Sequence, residues 1–222
     1  MEDRIREIFD RAVADLSDGG YDVNAERVRM PQVTDARNRF ISAMRYLLGD
    51  KCVLRREYGA VVEWMNENDG RSLLLGGKCG TGKSLIATRV LPLIYATMHY
   101  TFVPMQAYQF SRLSDIPTSN VVIVDDIGTE GVVKKYGTSM DNFGRLVDLV
   151  DSGKKICIAT TNLSADELAG LYGDRTMDRI RSNFKIITFD FGSMRGIGKV
   201  EADAINNQVM KEATRGTETP RF

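Results

Sequence analysis

The chain has 222 residues, of which 43% are hydrophobic and 27% are charged, as is typical of an ordinary globular protein with one sizeable domain and a small appendage. Lys and Arg together number 30, as do Asp and Glu, so the formal net charge is zero. This balance excludes a global basic field for nucleic acid, and any such binding would require a local patch.

Cysteine usage and the N-terminus indicate the compartment. Cys52, Cys79 and Cys157 lie far apart without a C-x-x-C pair, which argues against a disulfide framework and a zinc site and favours a reducing cytosol. The first residues form a charged amphipathic segment rather than a signal peptide, and no apolar run approaches the length of a membrane span. We therefore expect a cytoplasmic protein with no membrane partner. The single histidine, His99, is predicted to have a surface or packing role.

Three amphipathic helices are predicted before the central motif. The first covers Arg4 to Leu16, where apolar residues recur every three or four positions, and Asp18-Gly19-Gly20 ends it. So short a helix needs something to lie against, either its own domain or a partner protein. A polar linker from Asn24 to Val33 separates it from helices predicted at Asp35 to Leu48 and at Leu54 to Asn66.

The central motif is a P-loop sequence, G-x-x-x-x-G-K-S, between a strand predicted at Ser72 to Leu75 and a helix predicted at Leu85 to Thr97. In such a loop, backbone N–H groups and the positive end of the helix face a phosphate. Lys83 is expected to reach the β- and γ-phosphates, and the Ser84 hydroxyl to ligate Mg²⁺. We assign the nucleotide contact to Gly77, Lys78, Cys79, Gly80, Thr81, Gly82, Lys83, Ser84 and Leu85.

Two acids follow the most clearly buried strand. Val121 to Val124 is a continuous β-branched run, typical of a strand covered on both faces of a parallel sheet, and it ends in Asp125-Asp126. Carboxylates at that end of a strand lie at the ligand-binding edge of an open α/β sheet. Asp125 is therefore the candidate for holding Mg²⁺, directly or through water. Asp126 is the candidate for orienting and polarising the attacking water.

Asn162 follows a further buried strand, Lys155 to Thr160. Its amide could hydrogen-bond the γ-phosphate or the lytic water, or it could serve as a helix cap or turn residue. The second alternative arises because a capping box is predicted just after it, from Ser164 to Glu167.

The remaining elements complete an alternating pattern. The predicted strands are Tyr100 to Pro104 and, last in the chain, Lys185 to Phe189. A glycine-rich loop, Phe189 to Gly198, carries Arg195, and no packing demand explains it. The remaining helices are predicted at Ala107 to Leu113, Met140 to Val150, Asp174 to Arg181 and Lys199 to about Ala213, before a tail from Thr214 that has a disordered composition.

Four motifs together resemble the AAA+ ATPases of the DnaC/DnaI helicase-loader and IstB transposition-helper group. They are the P-loop (Walker A), V-V-I-V-D-D-I-G-T-E from Val121 (Walker B), I-A-T-T-N-L-S from Ile158 (sensor 1) and G-D-R-T-M-D-R-I-R from Gly173. The resemblance covers about Lys51 to Gly198. It implies an α/β P-loop NTPase fold (AAA+, ASCE type) with a central parallel five-stranded sheet flanked by helices. The implied organisation is a helical N-terminal segment (1–50), an ATPase domain (51–198) and a C-terminal helix and tail (199–222).

The resemblance also implies roles that the residues alone do not show. ATP would be hydrolysed to ADP and phosphate with Mg²⁺, stimulated by assembly of a homo-oligomer. Asn162 would be the sensor 1 residue. Arg179 would be the arginine finger, acting on ATP held by the neighbouring subunit, and Arg195 the sensor 2 residue of its own subunit. A planar guanidinium suits both of these roles, because it offers several permanent donors to a phosphoryl group.

Three functions are open at this point. The first is an ATP-dependent loader whose N-terminal helices bind a replicative DNA helicase. The second is an IstB-like ATP-dependent DNA-binding transposition helper, and the third is a nucleotide-gated binding module with negligible hydrolysis. Only Gln106 to Asn120 separates the second strand from Walker B, where relatives insert helices that touch single-stranded DNA. This shortness weighs against binding of single-stranded DNA and against helical assembly.

Overall fold

A parallel five-stranded sheet lies at the centre of the computed structural model, which describes residues 2–20, 26–129, 134–135, 138–139 and 142–215. The strands in chain order are β1 (Ser72–Gly77), β2 (Pro104–Gln106), β3 (Val121–Ile127), β4 (Lys134–Lys135), β5 (Thr138–Ser139), β6 (Ile156–Thr161) and β7 (Phe184–Phe189). The spatial order in the sheet is β2-β3-β6-β1-β7, and every neighbouring pair is parallel. The two short strands β4 and β5 form a separate antiparallel pair, which the sequence did not predict.

Helices cover the sheet and extend beyond it at both ends of the chain. A π-helical turn, Ile86–Val90, joins α4 to α5, so residues 83–96 form one continuous helical segment after the P-loop. Among the described residues, no helix combines the length and apolar character that a membrane crossing requires. The helices are α1 (Glu2–Asp18), α2 (Ala36–Leu48), α3 (Gly59–Asn66), α4 (Lys83–Leu85), α5 (Leu91–Ala96), α6 (Ala107–Phe110), α7 (Asn142–Asp151), α8 (Ala165–Tyr172), α9 (Asp174–Asn183) and α10 (Lys199–Arg215).

Alternate residues of the central strands face two separate cores. Leu73 and Leu75 belong to the cluster that contains α2, α3 and α5, whereas Leu74 belongs to the cluster that contains α6 to α9. Side chains of a strand alternate between the faces of a sheet, and both faces here are covered. The central strands are therefore unbroken apolar runs, as the sequence predicted, and the predicted fold class is confirmed.

Two predicted elements were wrong in position. The second strand was predicted at Tyr100 to Pro104, but the ladder with β3 forms only at Pro104–Gln106. Val103 is 75% exposed, so its apolar character does not reflect burial. The third helix was predicted from about Leu54 but begins at Gly59, because Arg55 is extended and a 3₁₀ turn, Arg56–Tyr58, precedes the helix. Predictions that concern Asn24, Glu130, Met140 and the tail from Gly216 lie outside the described residues.

Before α2, the N-terminal segment contains an exposed helix, α1, and a packed stretch without regular secondary structure. In α1 the apolar stripe stays open to solvent, with Ile8 63% and Phe9 66% exposed, so the stripe is not covered by its own domain. The predicted linker behaves differently, because Met30 and Val33 are buried and the Val33 N–H donates to Met65 O at 2.9 Å. We call residues 26–33 the strap.

An asparagine of helix α10 binds the backbone of the stretch before α3. Asn206 accepts from the Leu54 N–H at 2.7 Å and donates to Cys52 O at 2.8 Å. Ala202 and Val209 of the same helix are buried. These contacts fix the stretch Cys52 to Leu54, which borders the cavity described below.

We expect Asn206→Ala to lower the free energy of unfolding by about 1–3 kcal/mol, because two backbone groups lose their partner. Urea unfolding of the full chain measures the change. The matched control is Asn207→Ala, at the exposed neighbouring position, with an expected effect within about 0.5 kcal/mol. Equal effects of the two substitutions would contradict the anchoring role of Asn206.

Candidate nucleotide-binding site

A cavity of about 690 Å³ opens at the carboxyl edge of the sheet, where the P-loop begins. Because all five strands are parallel, the residues that follow β1, β3 and β6 meet at this edge. The cavity joins the P-loop to the stretch before α3 and to the loop after β7. Its lining comprises Leu48, Lys51, Val53, Cys79, Gly80, Thr81, Gly82, Lys83, Ser84, Leu85, Asp126, Asn162, Met194, Arg195, Gly196 and Ile197.

The P-loop glycines are required both by backbone conformation and by space. Gly80 and Gly82 have φ angles of 82° and 91°, which side chains rarely adopt. A Cβ at Gly80 would lie 2.1 Å from Ser193 Oγ, and one at Gly82 would lie 2.7 Å from Tyr58 Oη. Larger residues would therefore push the loop away from the elements that support it.

The ammonium group of Lys83 lies inside the loop. It donates to Gly77 O at 2.7 Å, to Lys78 O at 2.8 Å and to Asn162 Oδ1 at 2.9 Å. Burial lowers the pKa of Lys83, whereas the charges of Cys79, Asp126 and Asp125 act in the opposite direction. The two backbone carbonyl oxygens thus accept hydrogen bonds from an ammonium group that a phosphate would bind more strongly.

Asn162 links Lys83 to the acid of β3. Its Nδ2 donates to Asp126 Oδ1 at 2.6 Å, while its Oδ1 accepts from Lys83. The helix cap is Ser164 instead, in the predicted box: Ser164 Oγ accepts from the Glu167 N–H at 3.3 Å, and the Glu167 carboxylate accepts from the Ser164 N–H at 2.7 Å. The capping-box prediction is confirmed, and Asn162 is not the cap.

The two acids of β3 have different surroundings. Asp126 lines the cavity and has a φ of 64°, at the point where the ladder with β6 is interrupted. Asp125 is only 6% exposed and does not line the cavity. Its carboxylate accepts from Thr160 Oγ1 at 2.6 Å and from Gln106 Nε2 at 3.0 Å. Thr160 also accepts from the Asp126 N–H at 2.8 Å, so one hydroxyl positions both acids.

The loop after β7 is joined to the P-loop backbone. The Met194 N–H donates to Gly80 O at 2.9 Å, and Arg195 beside it lines the cavity. Tyr58 contacts both of these segments, since its hydroxyl donates to Thr81 O of the P-loop at 2.9 Å and lies 3.7 Å from Met194 Sδ. Burial raises the pKa of Tyr58, so its hydroxyl remains a donor.

Arg179 is not brought to the cavity. It lies on α9, where its guanidinium pairs with Asp148 and, at 3.2 Å, with Asp151 of α7. The cavity is lined by the predicted nucleotide-binding residues from Cys79 to Leu85 and by Asp126, Asn162 and Arg195. Three other predicted site residues, Gly77, Lys78 and Asp125, do not line it.

Sequence reasoning did not identify several residues that shape the site. Tyr58 and Thr160 were interpreted only as parts of a helix and a strand, and Gln106 had no signal because its partner is 19 positions away. The threonine pair before Asn162 gave one indication of such contacts, because a polar side chain in a buried strand costs free energy unless it is hydrogen-bonded.

The donor set at the cavity fits Mg²⁺. This ion prefers oxygen ligands and is usually held by one or two protein groups together with substrate phosphates. The Ser84 hydroxyl and the Asp126 carboxylate are oxygen donors at the cavity wall. Asp125 could join them only by releasing Gln106 or Thr160.

Comparisons with known proteins show what this chain is similar to. No family model matches the chain. It is similar to the replicative helicase loader DnaC of Escherichia coli (strain K12), with 27% identity over 151 residues, 60% of either protein. The chain therefore spans about 60% of the length of that curated relative.

Two solved structures share the fold at low sequence identity. A candidate primosome component from Streptococcus pyogenes serotype M3 is 15% identical and has a TM-score of 0.50, over 76% of this chain and 93% of that one. AMPPCP-bound DnaA from Aquifex aeolicus is also 15% identical, with a TM-score of 0.51 over 73% of this chain and 54% of that one. The chain is thus similar in sequence to DnaC, and it shares its fold with these two solved structures.

Proposed function

We propose that this chain is an ATP-dependent DNA replication protein that loads a replicative helicase. The observation that carries the ATPase part is the continuous contact Lys83–Asn162–Asp126 along one wall of the cavity. These groups supply a cation for phosphate, an amide and a carboxylate within one hydrogen-bonded set. The similarity to a curated helicase loader supports the biological part.

Binding begins with an exchange of partners at Lys83. The β- and γ-phosphates of ATP would take the ammonium from the carbonyls of Gly77 and Lys78, because charge-assisted bonds are stronger than bonds to neutral oxygens. The glycine backbone would cradle the same phosphates. Leu48, Val53 and Ile197 offer an apolar wall for the base, and the preference for adenine rests on family resemblance.

Hydrolysis needs an acceptor beside the γ-phosphate. Asp126 would orient the attacking water and accept its proton, and Asn162 would hold Asp126 in place through the bond already formed. Ser84 would hold Mg²⁺ together with Asp125, directly or through water, and the ion would supply positive charge to the phosphates. Arg195 would add a second cation from the loop that is joined to the P-loop.

The proposal includes a homo-oligomer in which Arg179 acts in trans. Among the described residues, Arg179 pairs with Asp148 and Asp151 and does not reach the cavity of its own chain, which supports a role at another subunit's site. A planar guanidinium that approaches the γ-phosphate only after assembly would make a monomer slow.

The helicase is proposed to bind α1. Its stripe consists of Ile5, Ile8, Phe9 and Leu16, all between 45% and 66% exposed. An amphipathic helix with an open apolar face is a recurring recognition element for a hydrophobic groove.

A nucleotide-gated binding module is the second candidate. The engagement of Asp125 by Thr160 and Gln106 favours it, since a metal-binding acid that is already satisfied would slow hydrolysis. In that case ATP binding would determine the conformation of the protein, and ATP would not be hydrolysed even in the assembled oligomer.

Lys83→Ala is expected to weaken ATP binding roughly 100-fold or more, because charge-assisted hydrogen bonds to the phosphates are lost. Titration with a fluorescent ATP analogue measures the affinity. Arg89→Ala, an exposed cation on the same helical segment, is the control and should bind like the parent. If the Lys83 variant also binds like the parent, the P-loop assignment is wrong.

Asp126→Asn is expected to retain nucleotide binding and to reduce hydrolysis on the order of 10²- to 10⁴-fold, because the amide cannot accept the proton. Phosphate release under assembling conditions measures the rate. Asp166→Asn, in the exposed first turn of α8, is the control for loss of one charge. Undiminished turnover in the Asp126 variant would refute its role as base.

Replacing Ile8 and Phe9 together with Asp is expected to abolish capture of the replicative helicase of the same cell in a pull-down, because both side chains lie on the open stripe. The control replaces Glu7 and Arg11 with Ser, on the opposite face of α1, with no net change of charge. Nucleotide binding should be unchanged in both proteins. Equal capture by the two variants would remove α1 from the proposed interface.

A further inference from the structure

Arg179, the proposed arginine finger, is held by contacts between α9 and α7 of its own chain. We call the group formed by Arg179 and Asn183 of α9 with Asp148 and Asp151 of α7 the corner. One guanidinium nitrogen of Arg179 donates to Asp148, and Nε forms an ion pair with Asp151 Oδ2 at 3.2 Å. The Arg179 side chain is only 22% exposed, whereas those of Asp148 and Asp151 are 55% and 42% exposed. The arginine is thus folded down onto α7.

The corner is braced by an asparagine that contacts both helices. Asn183 Nδ2 donates to Asp151 Oδ1 at 2.8 Å and to Arg179 O at 3.0 Å. The Asp151 carboxylate therefore pairs with Arg179 through one oxygen and accepts from Asn183 through the other. Movement of the Asp151 side chain would disturb both contacts.

The strap from the N-terminal segment reaches the same corner. Arg27 donates to Asp151 O at 2.9 Å and to Asn183 Oδ1 at 3.3 Å, and the Val28 N–H donates to Gly153 O at 2.8 Å. Gly153 has a φ of 75°, and a Cβ there would lie 2.7 Å from Arg27 Cγ. The close approach of the strap to the end of α7 therefore depends on a glycine.

We propose that this corner is a clamp that holds Arg179 away from the neighbouring subunit until assembly, and that the strap keeps it closed. The inference rests on the proposed function, in which Arg179 acts in trans. The guanidinium cannot donate the same N–H groups to Asp148 and Asp151 and to a phosphate. Ion pairs as exposed as these are weak, so the clamp is reversible and a triphosphate can displace it.

The first test is the double variant Asp148→Asn and Asp151→Asn in the full chain. ATP turnover is measured against protein concentration. The half-maximal rate is expected at a roughly three- to tenfold lower concentration than in the parent, from the usual strength of such exposed pairs. The KM for ATP should not change, because the cavity is untouched. An unchanged or weakened concentration dependence overturns the clamp.

The matched control is the double variant Asp115→Asn and Asp166→Asn, which removes the same number of negative charges. Asp115 forms an exposed ion pair of 3.4 Å with Arg145 of α7, and neither aspartate pairs with Arg179. The control should leave the dependence of ATP turnover on protein concentration, the concentration curve, unchanged. A shift equal to that of the Asp148 and Asp151 variant would mean that surface charge alone is responsible. Arg27→Ala is expected to shift the concentration curve in the same direction as the Asp148 and Asp151 variant, and no shift overturns the part assigned to the strap.

A second measurement needs neither nucleotide nor activity. Thermal unfolding is compared for Arg179→Ala, for the Asp148 and Asp151 variant and for the combination of both. If the clamp exists in solution, the effects are non-additive, with the combination no less stable than the less stable of the two. Additive effects overturn the clamp.

The two proposals fail in different ways. If Arg179→Ala hydrolyses ATP as fast as the parent under assembling conditions, the trans role in the proposed function is wrong, whatever the unfolding cycle shows. If Arg179→Ala loses the assembly-stimulated rate while the aspartate variant behaves like the parent, the clamp is wrong and the proposed function stands.

Discussion

The site depends on the hydrogen bonds made by the buried ammonium group of Lys83. A cation in that position needs acceptors, and the chain supplies them from three directions: the carbonyls of Gly77 and Lys78, and the amide of Asn162. Asn162 in turn binds Asp126, so the charge of the lysine and the charge of the acid are connected through one polar side chain. A phosphate that takes over the lysine would therefore also alter the surroundings of the acid.

The parallel sheet explains why these groups meet. β1, β6 and β3 are adjacent, and all three end at one edge, which places the P-loop, Asn162 and the acids side by side. The edge also contains backbone conformations of low stability. Asp126 adopts a φ of 64°, and Thr160 stabilises that turn by accepting from its N–H. Strained backbone at a ligand site is common, because the surrounding contacts offset its cost.

Local patterns in the sequence predicted much of this arrangement. Three features depend only on residues within a few positions of one another: the P-loop, the buried strand before Asp125 and the capping box at Ser164. Their geometry can therefore be predicted from short stretches of sequence. Long-range contacts were not predictable in this way. Nothing near Gln106 indicates that it binds Asp125, and nothing near Arg179 indicates that Asp148 and Asp151 hold it. The misplaced second strand has the same origin, because pairing with β3 decides where that strand begins.

The central claim is that the cavity receives a nucleoside triphosphate whose phosphates replace the carbonyl partners of Lys83. A crystal structure of the full chain with Mg²⁺ and a non-hydrolysable ATP analogue tests it most directly. The account predicts the phosphates within the P-loop, Lys83 Nζ hydrogen-bonded to them instead of to Gly77 and Lys78, and Asp126 facing the γ-phosphate. An analogue bound elsewhere, or a P-loop with Lys83 still on its carbonyls at saturating analogue, would contradict it.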